Sequence, residues 1–166
     1  RDVAAQRRRG VIRRGVPAWS VFLLFASLYT LSLGCGFYAS DGEVMFQTAA
    51  ALVTRGTLAL PPDPGLPQIV AGQGGRSYSK YDPGLPLLAA PFFMAGDRLA
   101  QVNHAHRTQV AATAVLLLPA LAGAGTAAAL YALARSLFGA RPALAVTLAA
   151  GLATPLWPYS RMLFAE

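Results

Sequence analysis

The stretch "VPAWSVFLLFASLYTLSLGCGFYASDGE", residues 16–43, decides the fold. It opens with 25 residues that carry no charged side chain, Val16 to Ser40, and closes with two carboxylates, Asp41 and Glu43. A helix needs about 20 apolar residues to cross the hydrocarbon core, because each backbone polar group must be satisfied within the segment. The stretch therefore predicts a membrane-spanning helix over residues 16–39, followed by an acidic pair at the membrane boundary.

The segment in front of this run is basic, and its arginines set the expected orientation. They are Arg7, Arg8, Arg9, Arg13 and Arg14. A cleavable signal peptide is the alternative for such a pattern, but the apolar run is about twice the usual length of a signal-peptide core. We therefore expect a retained span, with residues 1–15 as a basic tail in the cytoplasm.

Composition supports a membrane protein and argues against a soluble domain. The chain is 55% hydrophobic and only 13% charged. Its net charge of +7 could suggest nucleic acid, but the uneven placement of the basic residues follows the positive-inside pattern, so we predict no nucleic-acid partner. The single cysteine, Cys35, excludes an intramolecular disulfide framework.

Two further apolar runs complete the predicted topology. Residues 108–134 and 142–160 are read as the second and third spans, and the shorter, proline-containing run 83–96 as a re-entrant or interfacial helix. The sequence thus predicts an all-α polytopic protein of the cytoplasmic (inner) membrane with three transmembrane helices. Residues 40–107 then form a long extracytoplasmic loop, 135–141 a cytoplasmic loop, and 161–166 the start of a second outer loop. We interpret the chain as the N-terminal part of a longer membrane protein.

The first outer loop begins with a predicted amphipathic helix. Ser40 and Glu43 have the spacing of a capping box, and Gly56 after Arg55 is a typical helix stop. Between these ends the apolar positions fall on one side at helical spacing; they are Met45, Phe46, Ala49, Leu52 and Val53. We expect this helix to lie at the membrane interface.

Two sets of charged residues in this loop are candidates for a site. Asp41 and Glu43 lie about 200° apart around a helix, so only one can face a substrate, and Asp41 is the one that the capping box does not require. A carboxylate at this position can act as a general base toward an attacking hydroxyl. The complementary cations are Arg76 and Lys80, flanked by Tyr78 and Tyr81 in "GRSYSKYDPG", which can hold a phosphate. The alternative reading is a helix cap and a solvated loop.

These motifs resemble the N-terminal part of bacterial membrane glycosyltransferases of the GT-C fold. The acidic motif after the first span, the helix ending in "RGTLAL", and the stretch from Arg76 through Lys80 to "PGLPLLAAP" carry the resemblance. The nearest branch is family 39, which includes protein O-mannosyltransferases and the aminoarabinose transferase of lipid A. Two departures from the family pattern are the glycine between Asp41 and Glu43 and the sequence Tyr81-Asp82-Pro83 where the family has two prolines.

The resemblance implies a GT-C-type helical bundle that transfers a sugar from a polyprenyl-phosphate donor to an extracytoplasmic glycan, lipid or protein. It places the base at Asp41 and the phosphate contact at Lys80. Arg161 and Glu166, in the second outer loop, would lie near the same surface. Membrane lipids are the remaining expected partner. No cofactor is implied, and a divalent metal is left open.

Two other functions compete with this interpretation. A transporter would carry ionisable residues near the middle of its spans, and all three predicted spans lack charge there. A non-catalytic scaffold would not require an acidic pair, Lys80 and a proline-rich loop together. His104 and His106 form a weak metal signal because no acidic or cysteine partner lies near them in the sequence, and we predict that they bind no metal.

Overall fold

A computed structural model describes residues 15–34, 36–103 and 106–164 of the chain. These residues form six α-helices and three short strands. The helices are α1 (Ala18–Leu31), α2 (Ser40–Arg55), α3 (Gly84–Asn103), α4 (Arg107–Phe138), α5 (Ala140–Ala153) and α6 (Leu156–Tyr159). The strands are β1 (Ala59–Leu60), β2 (Ile69–Ala71) and β3 (Ser77–Ser79). The protein is therefore mostly helical, as the sequence predicts.

Helix α4 is the centre of the molecule. It packs against α1, α3 and α5, and α2 packs on α3. The small residue Gly123 on α4 allows neighbouring segments to approach the helix closely. A methyl group at this position would lie 2.8 Å from Cβ of Ser160 and 3.2 Å from Cε2 of Tyr29. By contrast, a methyl group at Gly125 would meet no atom within 4 Å. Gly123 thus marks the point where α1 and the segment after α6 meet α4.

One half of the core joins α1, α4 and α5. Val21, Phe25 and Tyr29 on α1 are buried against Tyr131 and a row of alanines on α4. The Tyr29 hydroxyl donates to the carbonyl of Gly151 on α5 at 2.9 Å, which satisfies the one polar group of this buried side chain. This arrangement fixes α1 and α5 on the same flank of α4.

The other half of the core joins α2, α3 and α4. Met45 and Phe46 on α2 are buried with Phe93 on α3 and with Leu116 on α4, and Leu163 from the end of the chain joins them. Phe46 and Phe93 have their ring centroids 5.5 Å apart in a tilted arrangement. The predicted apolar face of α2 therefore rests on protein, with Met45 and Ala49 fully buried.

The bounds of α2 agree with the sequence, while those of the apolar helices differ. Helix α1 covers 14 residues of the predicted span 16–39 and ends at Leu31. Ser32 follows, and its hydroxyl donates to the Tyr29 carbonyl at 2.9 Å, so a local hydrogen bond terminates the helix although no charge appears until Asp41. Absence of charge marks an apolar segment and does not mark where its helix stops.

The re-entrant segment and the third span also differ in extent. Helix α3 continues beyond Gly96 to Asn103, because Asp97 accepts hydrogen bonds from Gln101 and Arg107 and the helix tolerates this charge. Helix α5 ends at Ala153, and the chain turns at Thr154 and Pro155 before the short α6. Proline cannot donate a backbone hydrogen bond, which explains the interruption of the predicted span 142–160.

The prediction of an all-α protein is wrong for the outer loop. The strands β1, β2 and β3 form an antiparallel sheet in the order β1-β3-β2, with Ala59 opposite Tyr78 and Val70 opposite Tyr78 on the other side. The strands are two or three residues long, too short for a period-two pattern to stand out among the prolines and glycines.

Within the described residues, one helix is long and apolar enough to cross a membrane. This is α4, with 32 residues, whereas α1 and α5 are apolar but have 14 residues each. Length and composition thus single out α4, in the position of the predicted second span.

Candidate functional site

The site is built at the first turn of α2. The residue before the helix is Ala39, in an extended conformation, and no side chain caps the helix start. The predicted capping box of Ser40 and Glu43 therefore does not form. Instead the Ser40 hydroxyl accepts a hydrogen bond from the Gln68 side chain, and Glu43 accepts one from Gln47, one turn along the helix, at 3.1 Å. The two carboxylates have different partners, as their angular separation predicts.

Gly42, between the two carboxylates, is buried under the segment that follows α6. A methyl group there would lie 2.9 Å from the carbonyl oxygen of Leu163 and 3.1 Å from Cδ1 of Phe37. Both distances are shorter than normal carbon contacts, so only glycine allows this approach. The glycine that departs from the family pattern thus has a packing role.

Gln68 connects the segment between α2 and α3 to Asp41. Its side-chain Nε2 donates to Oδ1 of Asp41 at 2.9 Å and to Oγ of Ser40 at 2.5 Å. Its backbone carbonyl accepts from the backbone N–H of Lys80 at 2.9 Å. Gln68 immediately precedes β2 and Lys80 immediately follows β3, so the hairpin formed by these strands brings both residues to the start of α2.

Tyr81 and Lys80 complete what we call the Asp41 cluster, defined as Asp41, Gln68, Lys80 and Tyr81. Hydrogen bonding to the Asp41 carboxylate raises the pKa of the Tyr81 phenol above its ordinary value; burial raises it further, and Lys80 opposes the effect. The Lys80 ammonium lies 4.9 Å from the centre of the Tyr81 ring, within the range of a cation–π contact. A carboxylate and an ammonium group thus both lie close to one tyrosine.

Lys80 is exposed, and within the described ranges its ammonium forms no ion pair with a carboxylate. An exposed ammonium without a carboxylate partner can take up an anionic ligand without first breaking a salt bridge. Asp41 is half-buried, and one of its carboxylate oxygens accepts a hydrogen bond from Gln68. The cluster can therefore combine a proton acceptor with an anion-binding group.

The hairpin separates Arg76 from the Asp41 cluster. Arg76 is exposed at the turn that precedes β3, whereas Lys80 follows the strand. Four residues of extended chain span about 13 Å, so the two predicted cations lie at opposite ends of the strand. Tyr78 lies between them with its ring over Gly72, where a methyl group would come 2.5 Å from Cδ2. Tyr78 therefore packs within the hairpin.

Arg161 comes close to the residues that lead into α2. Its Nη2 donates to the Tyr38 hydroxyl at 3.1 Å, and its guanidinium lies 5.8 Å from the centre of that ring. Its Nε is buried and has no hydrogen-bond partner among the described residues. Glu166, the other residue predicted from the second outer loop, lies outside the described residues.

The part of the chain that the structure describes contains no group of three or more His, Cys, Asp or Glu arranged to hold a metal ion. His106 is exposed just before α4, and His104 lies outside the described residues, as does the basic tail up to Arg14.

Comparison with protein-family models, with curated proteins and with solved structures finds no match to this chain.

Sequence reasoning missed Gln68 and Tyr38. Gln68 stands in "LPQIV" between apolar residues, and a buried amide between a proline and an isoleucine is the only local signal. Its partner Asp41 lies 27 positions earlier in the chain. Tyr38 contacts Arg161, at a separation of 123 positions, so no local pattern could connect them.

Proposed function

We propose that this chain is part of an integral membrane glycosyltransferase that uses a polyprenyl-phosphate-linked sugar donor and an extracytoplasmic acceptor. One observation carries the proposal: Asp41, which accepts hydrogen bonds, and the exposed Lys80 both lie close to Tyr81. Sugar transfer from a phosphate needs these two groups together, a base for the attacking hydroxyl and a cation for the leaving phosphate.

In the proposed reaction the acceptor hydroxyl gives its proton to the Asp41 carboxylate as its oxygen bonds to the anomeric carbon of the sugar. The bond from that carbon to the phosphate oxygen breaks, and its electron pair stays on the polyprenyl phosphate. Lys80 neutralises the charge that develops on this oxygen. Gln68 cannot accept the proton in place of Asp41, because a carboxamide is not basic; its nitrogen donates a hydrogen bond to that carboxylate.

An apolar cavity, connected to the start of α2 through Leu163, supports a lipid-linked donor. It has a volume of about 540 Å³ and lies between α3, α4 and the segment around α6. Leu85, five positions after Lys80, lines it together with Leu118 and Leu156. Leu163 also lines it, and the carbonyl of that residue covers Gly42. The proposal places the prenyl chain of the donor in this cavity.

The proposal includes a multi-pass topology in the cytoplasmic membrane. Helices α1, α4 and α5 would be three spans of a GT-C-type bundle, with the basic N-terminus in the cytoplasm and the Asp41 cluster outside. The apolar character of all three helices supports this arrangement, and α4 has the length to cross unaided.

The test is sugar transfer by full-length variants matched for abundance in the membrane, with polyprenyl-phosphate-linked sugars as donors. Asp41→Asn keeps the size of the side chain but cannot take a proton, so transfer should fall roughly a hundredfold or more. Glu43→Gln is the matched control. An amide at this position can still accept a hydrogen bond from Gln47, so this variant should lose little of its sugar-transfer activity. Loss of a general base should lower the rate roughly a hundredfold or more. If Asp41→Asn retains more than about a tenth of the activity, the general base is therefore another residue.

A further inference from the structure

Gln68 is a polar side chain in an apolar place. Its residue surface is 8% exposed, although it lies in a loop, and the neighbouring Leu66 and Ile69 pack against buried residues of α2. Burial of an amide is costly unless its hydrogen bonds are made. Here both identified bonds of the side chain go from Nε2 to the first turn of α2.

The orientation of this amide is determined by Asp41. An ionised carboxylate only accepts hydrogen bonds, so the amide must face it with its nitrogen, since the reverse orientation would put two acceptors together. Oε1 then faces away, is buried, and accepts no hydrogen bond from the described residues. The amide is thus held from its donor side, by Asp41 and Ser40.

The backbone of Gln68 is fixed as well. Its carbonyl accepts from the N–H of Lys80, and the next residue, Ile69, pairs with Ser79 in the sheet. A rigid donor on one oxygen of a carboxylate restricts rotation of that carboxylate, as residues behind a catalytic group commonly do. We propose that Gln68 is a positioning residue that holds the Asp41 carboxylate in its reactive orientation, an inference that rests on the proposed role of Asp41.

The first experiment measures sugar transfer by the full-length chain carrying Gln68→Leu, which keeps the approximate volume but removes the donor. We expect kcat to fall roughly 10- to 100-fold, as for a misplaced catalytic group, with little change in KM for the donor lipid. Gln101→Leu is the matched control, because Gln101 donates the same kind of bond, at 2.8 Å, to Asp97 on α3. This control should keep its activity.

A double variant separates positioning from general support of the fold. If Gln68 acts through Asp41, then Asp41→Asn with Gln68→Leu should be no less active than Asp41→Asn alone. A further loss in the double variant, equal to that of Gln68→Leu alone, would overturn the inference.

The second experiment does not depend on activity and uses Tyr81 as a reporter of Asp41. Ionisation of Tyr81 is followed by tyrosinate absorbance in the full-length protein, taken as the difference from Tyr81→Phe. Both Asp41→Asn and Gln68→Leu should lower the pKa of Tyr81 toward its ordinary value, and Gln101→Leu should leave it raised. If only Asp41→Asn lowers it, Gln68 does not hold the carboxylate.

The two experiments distinguish failure of the inference from failure of the proposed function. Absence of sugar transfer in the unaltered protein would contradict the proposed function, and the Tyr81 titration would still decide whether Gln68 positions Asp41. If Gln68→Leu does not accumulate in membranes, Gln68→Glu replaces it with nearly the same shape. Transfer by Gln68→Glu should fall below one tenth at neutral pH, because a carboxylate repels Asp41 where an amide donated to it; wild-type activity would overturn the inference.

Discussion

Gly42 shows how a single residue can explain a departure from a familiar motif. The sequence places it between two carboxylates, where a helix-breaking residue is unfavourable by about 0.5 to 1 kcal/mol relative to alanine. The structure gives the reason for its presence, because the Leu163 carbonyl and the Phe37 ring occupy the space of a side chain. The glycine thus lets the segment after α6 reach the helix that carries Asp41.

We expect Gly42→Ala to destabilise the full-length protein by about 1 to 3 kcal/mol, the usual cost of overpacking a closely packed position. The measurement is the midpoint of thermal unfolding in detergent. Gly84→Ala is the control. It also replaces a glycine in a helix, at the first residue of α3, but a methyl group at this position meets no atom within 4 Å. A Gly42→Ala protein that unfolds at the unaltered temperature would show that Leu163 does not contact this glycine.

Single residues also show the reach of sequence reasoning. Asp41 and Lys80 could be selected from the sequence because each lies in a local motif with chemical meaning. Gln68 could not, because its role depends on the hairpin that brings it to α2, and a hairpin of three-residue strands leaves a weak pattern. The separation of Arg76 from Lys80 was missed for the same reason.

At the scale of elements, helix α2 was predictable in both bounds and buried face. Apolar residues at helical spacing and the stop at Gly56, which adopts a left-handed conformation with φ 63°, define it locally. The ends of α1 and α5 were not predictable from charge, because a serine hydrogen bond and a proline end them within apolar sequence.

An ion pair that the sequence did not suggest joins α3 to the start of α4. Arg107 bonds to both carboxylate oxygens of Asp97, with its Nη2 at 2.8 Å from Oδ2. Arg107 is the main reason that the pKa of Asp97 lies below its ordinary value. A carboxyl group with a lowered pKa stabilises the fold at pH values above its unfolded pKa, and this contribution is lost as the pH falls through the lowered folded pKa.

We therefore expect Asp97→Asn to lower the thermal midpoint by roughly 2 °C at neutral pH, a modest effect because Arg107 is largely exposed. The difference from the unaltered protein should shrink as the pH is lowered below the usual carboxyl range. Arg98→Gln, an exposed neighbour, is the control and should have little effect. A difference that persists unchanged at low pH would exclude the ion pair as its cause.

At the scale of the whole molecule, the helical class followed from composition, and the arrangement around α4 did not. Alanine is frequent along both α4 and α5, so the sequence does not reveal which of their faces meet. The contacts of Tyr29 with Gly123 and with Gly151 join residues more than 90 positions apart. Such contacts become visible only in three dimensions.

Orientation across the membrane is the prediction that belongs to this scale. In the proposed topology the arginines before α1 lie in the cytoplasm, so a reporter fused after Gly56 should lie outside and one fused after Gly139 should lie in the cytoplasm. Alkaline phosphatase and a fluorescent cytoplasmic reporter give opposite readings at each position. A reversed pattern would put Asp41 on the cytoplasmic face and exclude an extracytoplasmic acceptor.

In the proposed membrane arrangement, the unequal lengths of the apolar helices have a consequence for the surrounding lipid. Helices α1 and α5 lie on one flank of α4 and rise only about 21 Å each, against about 30 Å for a typical hydrocarbon layer. A bilayer meets such short helices by thinning locally, at a modest cost for each ångström of mismatch. The outer leaflet would then dip on the flank where α1 ends and the chain turns toward Asp41. A lipid-linked sugar would gain access to the carboxylate while its prenyl chain stays within the membrane.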